Sequence, residues 1–369
     1  MTWPGEGDEP YAGPPPTVRP PVWAEPARWR PPPAPWGPPA PWGAPPPPPV
    51  IRWAPPPGTP PHDVPQPFLL AMRSRDWGWW RPLLGLLLIG VVYAVAAIVV
   101  VLLAMATGVG TDFAQMDLAD PVTLLVTNLS LVVVIPVVWL AWVAAHGMGR
   151  GWSSSVLARP RWRLLPPYTL MALSTIGVGL GLTVLIGLLL GGDRATGPVA
   201  SFGWLLVVVL LTTPLQSAAE EYFFRGYLSQ CIAGWVRSPR AGAVVAGVLT
   251  AVLFSAAHLS PDVPTFLDRF AFGLAASSVV WLTGGLEASI VLHAVNNVLV
   301  FVLAGALGNG VDTQAYSSGL DPVLLLVSVL SVVAYVALVA RSRASLRPET
   351  RTAAVDLRLP GRVEPVAPG

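Results

Sequence analysis

Two adjacent carboxylates, Glu220 and Glu221, lie inside an apolar stretch of the chain, and Arg225 follows the second by four residues. A charged side chain at bilayer depth costs about 2.5–3.5 kcal/mol on insertion scales, so a charge kept there is expected to serve a purpose. On a helix, Glu221 and Arg225 share a face and can pair, whereas Glu220 points about 100° away. An unpaired carboxylate in an apolar interior suits a general base that takes a proton from water and returns it to a leaving amine. The alternative is an ion network that only locks helices together.

Polar residues at helical spacing recur in two later apolar segments. Phe254 and His258 are four residues apart, as are His293 and Asn297, so each pair lies on one helix face. The Asn297 amide could orient the His293 imidazole or bind the same water. Interhelical hydrogen bonds without chemistry are the alternative, worth about 0.6–2 kcal/mol. The chain has only four histidines, and the placement of two of them in or beside apolar segments favours a shared site.

A converging set of Glu, His, His and Asn permits two forms of hydrolysis. Glu220, His258 and His293 could hold a Zn²⁺ ion with an open position that activates a bound water. In a form without metal, Glu220 activates water directly, while the two histidines and Asn297 position that water and stabilise the developing oxyanion. The sequence lacks the His-Glu-x-x-His signature of many zinc proteases. The residues alone leave both forms open.

Composition indicates which elements must position these residues. Hydrophobic residues make up 53% of the 369 residues and charged residues 11%, against about a quarter charged in soluble domains. A net charge of only +2 argues against a nucleic-acid partner. Apolar runs of about 20 residues recur between short polar breaks, and at that length only helices satisfy their own backbone in lipid. We predict an all-α, polytopic bundle of about eight transmembrane helices, at 83–107, 121–145, 167–190, 204–232, 242–259, 265–284, 286–307 and 322–340.

Proline content and hydropathy divide the chain into segments. Residues 1–67 hold 27 of the 43 prolines, and because proline fixes φ and lacks a donor, we predict a disordered cytoplasmic tail there. This tail could bind a proline-recognising groove, but a low-complexity extension without a specific partner is the favoured interpretation. We assign residues 68–82 to a juxtamembrane segment, 83–341 to the transmembrane bundle and 342–369 to a second disordered tail.

Arginine placement predicts the orientation in the membrane. Cytoplasmic loops collect positive charge, and arginines cluster before the first helix, between the second and third, and after the last. Both termini are therefore expected in the cytoplasm. The chain does not open with basic residues and a short apolar core, so we expect no cleavable signal peptide.

The predicted helices do not bring the polar residues to one depth by themselves. Counted along straight helices, Glu220 lies toward the cytoplasmic end, His258 close to the outer end and His293 again toward the inside. Pro214 removes a helical hydrogen bond and is expected to kink or split the fourth helix, which could reset the position of Glu220. Asp268, Arg269 and Glu287 lie near helix ends, and we interpret them as interfacial or paired charges outside the site.

Three ordered motifs, each on its own hydrophobic segment, resemble those of the CPBP intramembrane proteases, also called the CAAX protease and bacteriocin-processing or Abi family. They are Glu220-Glu221-x-x-x-Arg225, Phe254-x-x-x-His258 and His293-x-x-x-Asn297. The resemblance covers about residues 165–310. It implies an eight-helix intramembrane endopeptidase of a bacterial plasma membrane.

The resemblance also implies roles for individual residues. Glu220 would be the base and Arg225 the ion-pair partner of Glu221, while His258, His293 and Asn297 would bind the water or a metal. The family was first described as metal-dependent, and a metal-free glutamate mechanism has since been favoured for its eukaryotic prenyl-protein members. Zn²⁺ and a metal-free mechanism therefore both stay open.

Three functions are compatible with these residues. The leading hypothesis is an integral-membrane endopeptidase that cuts a membrane-associated protein or peptide, with Glu220 activating water. The second is a non-catalytic membrane binding or immunity protein that uses the same polar pocket. A proton- or ion-coupled transporter is the least favoured, because the spans show no obvious inverted repeat and the motifs cluster in one half of the chain.

Overall fold

The computed structural model describes residues 60–106, 118–191, 194–236, 238–259, 262–308 and 321–354. Regular structure within these ranges is helical apart from two isolated antiparallel bridges, so the predicted all-α fold is confirmed. Eight helices in the described ranges are long and apolar enough to cross a membrane. They are α1 Arg81–Ala106, α2 Pro121–His146, α3 Trp162–Leu190, α4 Phe202–Trp235, α5 Pro239–Ala257, α6 Val263–Thr283, α7 Glu287–Leu307 and α8 Asp321–Leu346. The disorder predicted for residues 1–59 and 355–369 lies outside the described residues.

The eight predicted transmembrane segments are confirmed, with differences at some helix ends. Helix α3 begins at Trp162, five residues before the predicted start, and α8 continues to Leu346, six residues past the predicted end. Residues 342–346, which the sequence analysis assigned to the second tail, belong to this helix. The reason is that hydropathy marks the membrane-spanning part of a helix, whereas Arg and Ala favour helix in water as well.

Three helices begin at side-chain caps. The side chains of Asp120, Ser238 and Asp262 accept hydrogen bonds from the backbone N–H groups of the first turns of α2, α5 and α6. Each cap is followed by a proline at the first or second helical position, where its missing N–H costs nothing. The chain therefore starts these helices with a polar cap and proline at positions that hydropathy alone does not define.

A kink or a split of α4 was expected at Pro214, and the structure shows no split there. Helix α4 is α-helical from Phe202 to Phe223 with Pro214 inside it. Just before the proline, the hydroxyls of Thr212 and Thr213 accept bonds of 2.8 and 3.1 Å from Asn128 Nδ2 of α2. Such contacts with neighbouring helices are one way in which transmembrane helices tolerate proline. The irregularity lies further on, in a π-helical turn at Phe224–Leu228.

Helix α4 occupies the centre of the bundle. It packs against α7 on one side and against α2 on another, while α5 packs on α6 and α6 on α8. An apolar cluster fills the space behind the α4–α7 contact and includes Phe224, Phe254 and Phe272. The polar motif residues on α4 and α7 therefore face each other across the contact between these two helices.

The two described ends of the chain meet on one side of the bundle. Gln66 and Thr352 exchange hydrogen bonds of 2.8 Å (Thr352 N to Gln66 O) and 3.0 Å (Gln66 N to Thr352 Oγ1). His62 lies nearby, buried against Trp152, with Nε2 2.7 Å from the Ala71 carbonyl oxygen. Residues 60–67 and 347–354, which the sequence analysis assigned to tails, thus have defined partners. Ends on one side agree with an even number of crossings; their cytoplasmic location stays a prediction.

A buried ion pair joins the same region to the start of α7. Arg161 donates from its backbone N–H (2.8 Å), from Nε (3.0 Å) and from Nη2 (2.6 Å) to the Glu287 carboxylate. Its Nη1 donates to the carbonyl oxygens of Thr283 (2.9 Å) and Glu349 (2.7 Å). Glu287 is therefore a paired charge, as expected, and is buried. We call these contacts, together with the Gln66–Thr352 pair and His62, the terminal clamp.

Candidate active site

The Glu221–Arg225 pair predicted from their spacing is confirmed. Arg225 Nη1 donates to Glu221 Oε1 at 2.8 Å, and both side chains are fully buried. Arg225 Nη2 also donates to the Gly273 carbonyl oxygen of α6 at 3.1 Å. The guanidinium lies 4.8 Å from the centre of the Phe254 ring, where a cation is attracted to the aromatic face. Helices α4, α5 and α6 thus meet at one arginine.

His293 of α7 completes a dyad with Glu221. Its Nδ1 lies 3.0 Å from Glu221 Oε1, the oxygen that also accepts from Arg225. A carboxylate only accepts, so Nδ1 carries the proton and the Nε2 of a neutral ring is an acceptor. The sequence analysis considered Asn297 as the group that orients this ring. The structure gives that role to Glu221, because the ring is turned across the α4–α7 contact rather than along its own helix.

Glu220 has two differently occupied oxygens. Oε1 accepts a short hydrogen bond from Gln216 Nε2, one turn earlier on α4. Oε2 is buried and receives no hydrogen bond from the described residues. It lies 3.8 Å from His293 Nε2, a separation at which a water molecule rather than a direct bond is expected between the two atoms. Buried polar atoms without partners are rare in native proteins and need an explanation, of which chemistry is one.

His258 stands at the C-terminal end of α5, where its Nδ1 lies 2.7 Å from the Phe254 carbonyl oxygen. The Phe254 ring is 4.6 Å from the His258 ring and 5.7 Å from the His293 ring, so it contacts both imidazoles. His258 is close enough to Glu220 and His293 to interact with both electrostatically. The two motif histidines and the Arg225 guanidinium therefore lie around one phenylalanine.

Helix lengths explain how His258 reaches the depth of Glu220. Helix α4 has 34 residues and α5 only 19, so α5 spans about 28 Å and α4 about 51 Å at 1.5 Å per residue. Glu220 lies near the middle of α4, and the end of the shorter α5 comes to that level. The difference in length, rather than a break at Pro214, resolves the mismatch in depth.

Asn297 joins the site through α4. Its Nδ2 donates to Gln216 Oε1 at 3.3 Å and to Ser217 Oγ at 3.5 Å, and its Oδ1 accepts from Asn296 at 3.1 Å. The amide therefore contacts the residue that also holds Glu220. Sequence reasoning did not identify Gln216, although its position four residues before Glu220 puts both on one helix face.

The donor set does not fit a three-ligand metal site. Among the described residues, no three His, Cys, Asp or Glu side chains are grouped so that they could hold a metal ion. Glu220 and His293 approach each other, but His258 stands apart at the end of α5. We derive no step through Zn²⁺, and the zinc site of Glu220, His258 and His293 stays a prediction from the sequence.

Comparison with known proteins gives one family and one relative. A family profile described as Type II CAAX prenyl endopeptidase Rce1-like matches residues 202–299, which confirms the resemblance inferred from the three motifs. The match runs from the start of α4 into α7 and contains all six predicted site residues. An uncharacterized protein of Bacillus subtilis (strain 168), YyaK, is 33% identical over 104 residues, which cover 27% of this chain and 34% of that protein. The match thus spans about a third of the relative. No solved structure matches the chain.

Proposed function

Since residues 202–299 match the family profile of Rce1-like type II CAAX prenyl endopeptidases, we propose that this chain hydrolyses a peptide bond of a membrane-associated protein or peptide. The single observation that carries this proposal is the state of Glu220. Its Oε2 is buried, receives no bond from the described residues and faces the acceptor nitrogen of His293 at 3.8 Å. Two convergent acceptors inside an apolar bundle suit a water molecule that is to lose a proton.

Glu220 is the general base of the proposed reaction. A water molecule donates one hydrogen bond to Glu220 Oε2 and one to His293 Nε2, which turns its lone pair toward the scissile carbonyl carbon. As the water oxygen bonds to that carbon, Glu220 takes the proton. It returns the proton to the amine nitrogen as the C–N bond breaks, so one carboxylate acts as base and then as acid.

Glu221 and Arg225 are positioning residues. Glu221 fixes the proton of His293 on Nδ1, so that Nε2 stays an acceptor for the water. Arg225 keeps the buried Glu221 carboxylate paired and anchors it to the Gly273 carbonyl. The pair thus fixes both the orientation and the tautomer of the imidazole.

Asn297 and His258 are assigned to the substrate side. Asn297 Nδ2 carries two N–H groups, and its 3.5 Å contact with Ser217 is weak enough to be exchanged for a bond to the developing oxyanion. His258 has its Nδ1 engaged by Phe254, which leaves Nε2 for the water or the substrate. These roles agree with those that the family resemblance implied.

Cleavage by the reconstituted protein tests the proposal. The probe is a farnesylated peptide ending in Cys-aliphatic-aliphatic-X, chosen from the description of the family, in proteoliposomes, with the released tripeptide measured by mass spectrometry. Glu220→Gln should lower the rate by at least about 100-fold, the usual contribution of a general base. Asp268→Asn is the matched control, because it also removes a carboxylate from a membrane helix, one that bonds Ser328 outside the site. It should cleave at nearly the wild-type rate.

A search for natural substrates extends this test beyond prenylated peptides. Peptide ends are mapped in membranes of cells that express the wild type or Glu220→Gln. Ends present only with the wild type support the proposal, and identical sets of ends, with no cleavage of the farnesylated probe, overturn it in favour of the binding or immunity alternative. Elemental analysis decides on the metal: one zinc per chain, lost in His258→Ala with His293→Ala, would support a metal-bound form.

A further inference from the structure

The Gln216 side chain lies between the two polar groups that the proposed reaction needs most. It is buried on α4, one turn before Glu220, and it faces α7. Its Nε2 donates to Glu220 Oε1, and its Oε1 accepts from Asn297 Nδ2 at 3.3 Å and from Ser217 Oγ at 3.3 Å. One amide therefore connects the proposed base on α4 to the proposed oxyanion donor on α7.

The chemistry of the partners fixes the orientation of this amide. An ionised carboxylate has no hydrogen to donate, so the NH₂ end of Gln216 must face Glu220. The carbonyl end is then turned toward Asn297, whose NH₂ group is a donor. The opposite orientation would put a carbonyl oxygen against the carboxylate and an NH₂ group against the NH₂ group of Asn297, and would lose both bonds.

We infer that Gln216 is a positioning residue that selects the reactive oxygen of Glu220 and keeps Asn297 in register with it. This inference rests on the proposed function. By occupying Oε1, Gln216 leaves Oε2 as the oxygen that faces His293 and takes the proton. By holding Asn297 from the other end, it fixes the distance between the base and the group that stabilises the oxyanion. Removal of Gln216 should therefore disturb proton transfer more than substrate binding.

Two variants distinguish the effect of the hydrogen bond to Glu220 from the effect of the hydrogen bond to Asn297. Gln216→Met has nearly the same shape and removes both bonds, whereas Gln216→Glu keeps an acceptor for Asn297 but removes the donor to Glu220. For cleavage of the farnesylated probe, we expect Gln216→Met to lower kcat by about 10- to 100-fold with little change in KM. Gln216→Glu should lower kcat to a similar extent, because it also removes the donor to Glu220 Oε1.

Gln230→Met is the matched control. Gln230 is a buried amide on the same helix, but it bonds Met72 N, the Trp152 carbonyl and the Gly226 carbonyl, away from the site. It should lower the melting temperature and leave kcat unchanged. A Gln216→Met variant with the wild-type kcat would show that Gln216 only fills space, and would overturn the inference.

A spectroscopic measurement keeps this test independent of activity. The carboxylate stretch of Glu220 is identified by infrared difference spectroscopy as the band missing in Glu220→Gln, and its frequency at one fixed pH is compared in the wild type and in Gln216→Met. The band should move in Gln216→Met, because Glu220 Oε1 loses its hydrogen-bond donor, and an unmoved band overturns the inference even for a chain that cuts nothing. A wild type that cuts no probe, with a band that does move in Gln216→Met, would contradict the proposed protease activity and leave the positioning role of Gln216 toward Glu220 standing.

Discussion

Two buried ion pairs in this molecule use the same residue types and differ in how completely they are hydrogen-bonded. Arg161 and Glu287 of the terminal clamp are 3% and 4% exposed, and both oxygens of Glu287 and the Nε, Nη1 and Nη2 of Arg161 have partners. Arg225 and Glu221 at the centre of the bundle are both 0% exposed. There Arg225 Nε has no partner among the described residues, and one oxygen of Glu221 is shared by Arg225 and His293.

This difference distinguishes an ion pair that stabilises the fold from an ion pair that belongs to the candidate active site. A buried ion pair stabilises a fold only when further hydrogen bonds satisfy its remaining atoms, and the clamp pair meets that condition. The central pair leaves two buried atoms, Arg225 Nε and Glu221 Oε2, without partners among the described residues. Its bonded oxygen also accepts from the His293 imidazole, which faces a second carboxylate, Glu220. Arrangements that are costly for stability and sit beside titratable groups are typical of functional sites.

The largest effect is expected when the central pair is broken. Glu221→Gln leaves the Arg225 charge buried without a counter-charge, which should cost about 3–5 kcal/mol of unfolding free energy. The proton of His293 is then no longer fixed on Nδ1, so cleavage should fall by at least about 100-fold even in the folded fraction. Denaturation in detergent and single-turnover cleavage measure the two losses. Cleavage at the wild-type rate in the folded fraction would mean that Glu221 only packs.

Breaking the clamp pair should affect stability alone. Glu287→Gln should cost up to about 3–5 kcal/mol, toward the lower end because the glutamine oxygen can still accept from Arg161. The cleavage rate per folded molecule should stay unchanged, since none of the clamp contacts reaches Glu220 or His293. Replacement of both partners, Arg161→Met with Glu287→Leu, should recover much of the loss. A cleavage defect in folded Glu287→Gln would contradict the separation of the two regions.

A glycine lies against each of the two ion pairs, so the effects of alanine substitutions at the two glycines can be compared. A Cβ on Gly285 would lie 2.4 Å from Arg161 Nη2 and 2.6 Å from Glu287 Oε2, and one on Gly273 would lie 2.9 Å from Ala251 and 3.3 Å from Arg225 Nη2. Each alanine substitution should cost about 1–3 kcal/mol by overpacking. Only Gly273→Ala should also reduce cleavage, because it shifts the anchor of Arg225. Equal cleavage by the two variants would remove the distinction.

The smallest effect expected is a pH dependence in the clamp. Burial lowers the pKa of His62, opposed in part by the bond to the Ala71 carbonyl. The unfolded chain therefore binds more protons near pH 6, so the contribution of His62 is present above its unfolded pKa of about 6.5 and is lost as pH falls below it. The melting temperature should decline over that range by less than the shifts above, and His62→Phe should flatten the decline. An unchanged slope in His62→Phe would assign the pH dependence to other groups.

Hydropathy and local spacing were sufficient for part of this structure. A span of about 20 apolar residues is a direct requirement of the bilayer, so all eight helices could be predicted. The Glu221–Arg225 pair could be predicted as well, since contacts four residues apart depend only on helix geometry. The split considered at Pro214 is absent from the structure. The effect of a proline inside a membrane helix depends on contacts with neighbouring helices, which the sequence does not give.

Contacts between distant parts of the chain could not be predicted from the sequence. The bond from His293 to Glu221 depends on how α4 and α7 rotate against each other, which spacing within one helix does not determine. The terminal clamp was missed because polar segments outside the membrane carry no periodic signal. Gln216 could have been predicted, because an amide one turn before a buried carboxylate on the same helix is placed to donate a hydrogen bond to it.

The π-helical turn at Phe224–Leu228 determines how the two parts of the long fourth helix are rotated relative to each other. A π turn contains one residue more than an α turn, so the parts of the helix before and after it are out of phase by about 100°. Deletion of a single residue within that turn would restore a regular helix. Glu220 and Glu221 would then be rotated about the helix axis relative to Ser229–Trp235. The carboxylates would then face a different neighbour although neither of them is replaced. The geometry of the site therefore depends partly on the number of residues between the two carboxylates and the end of the helix.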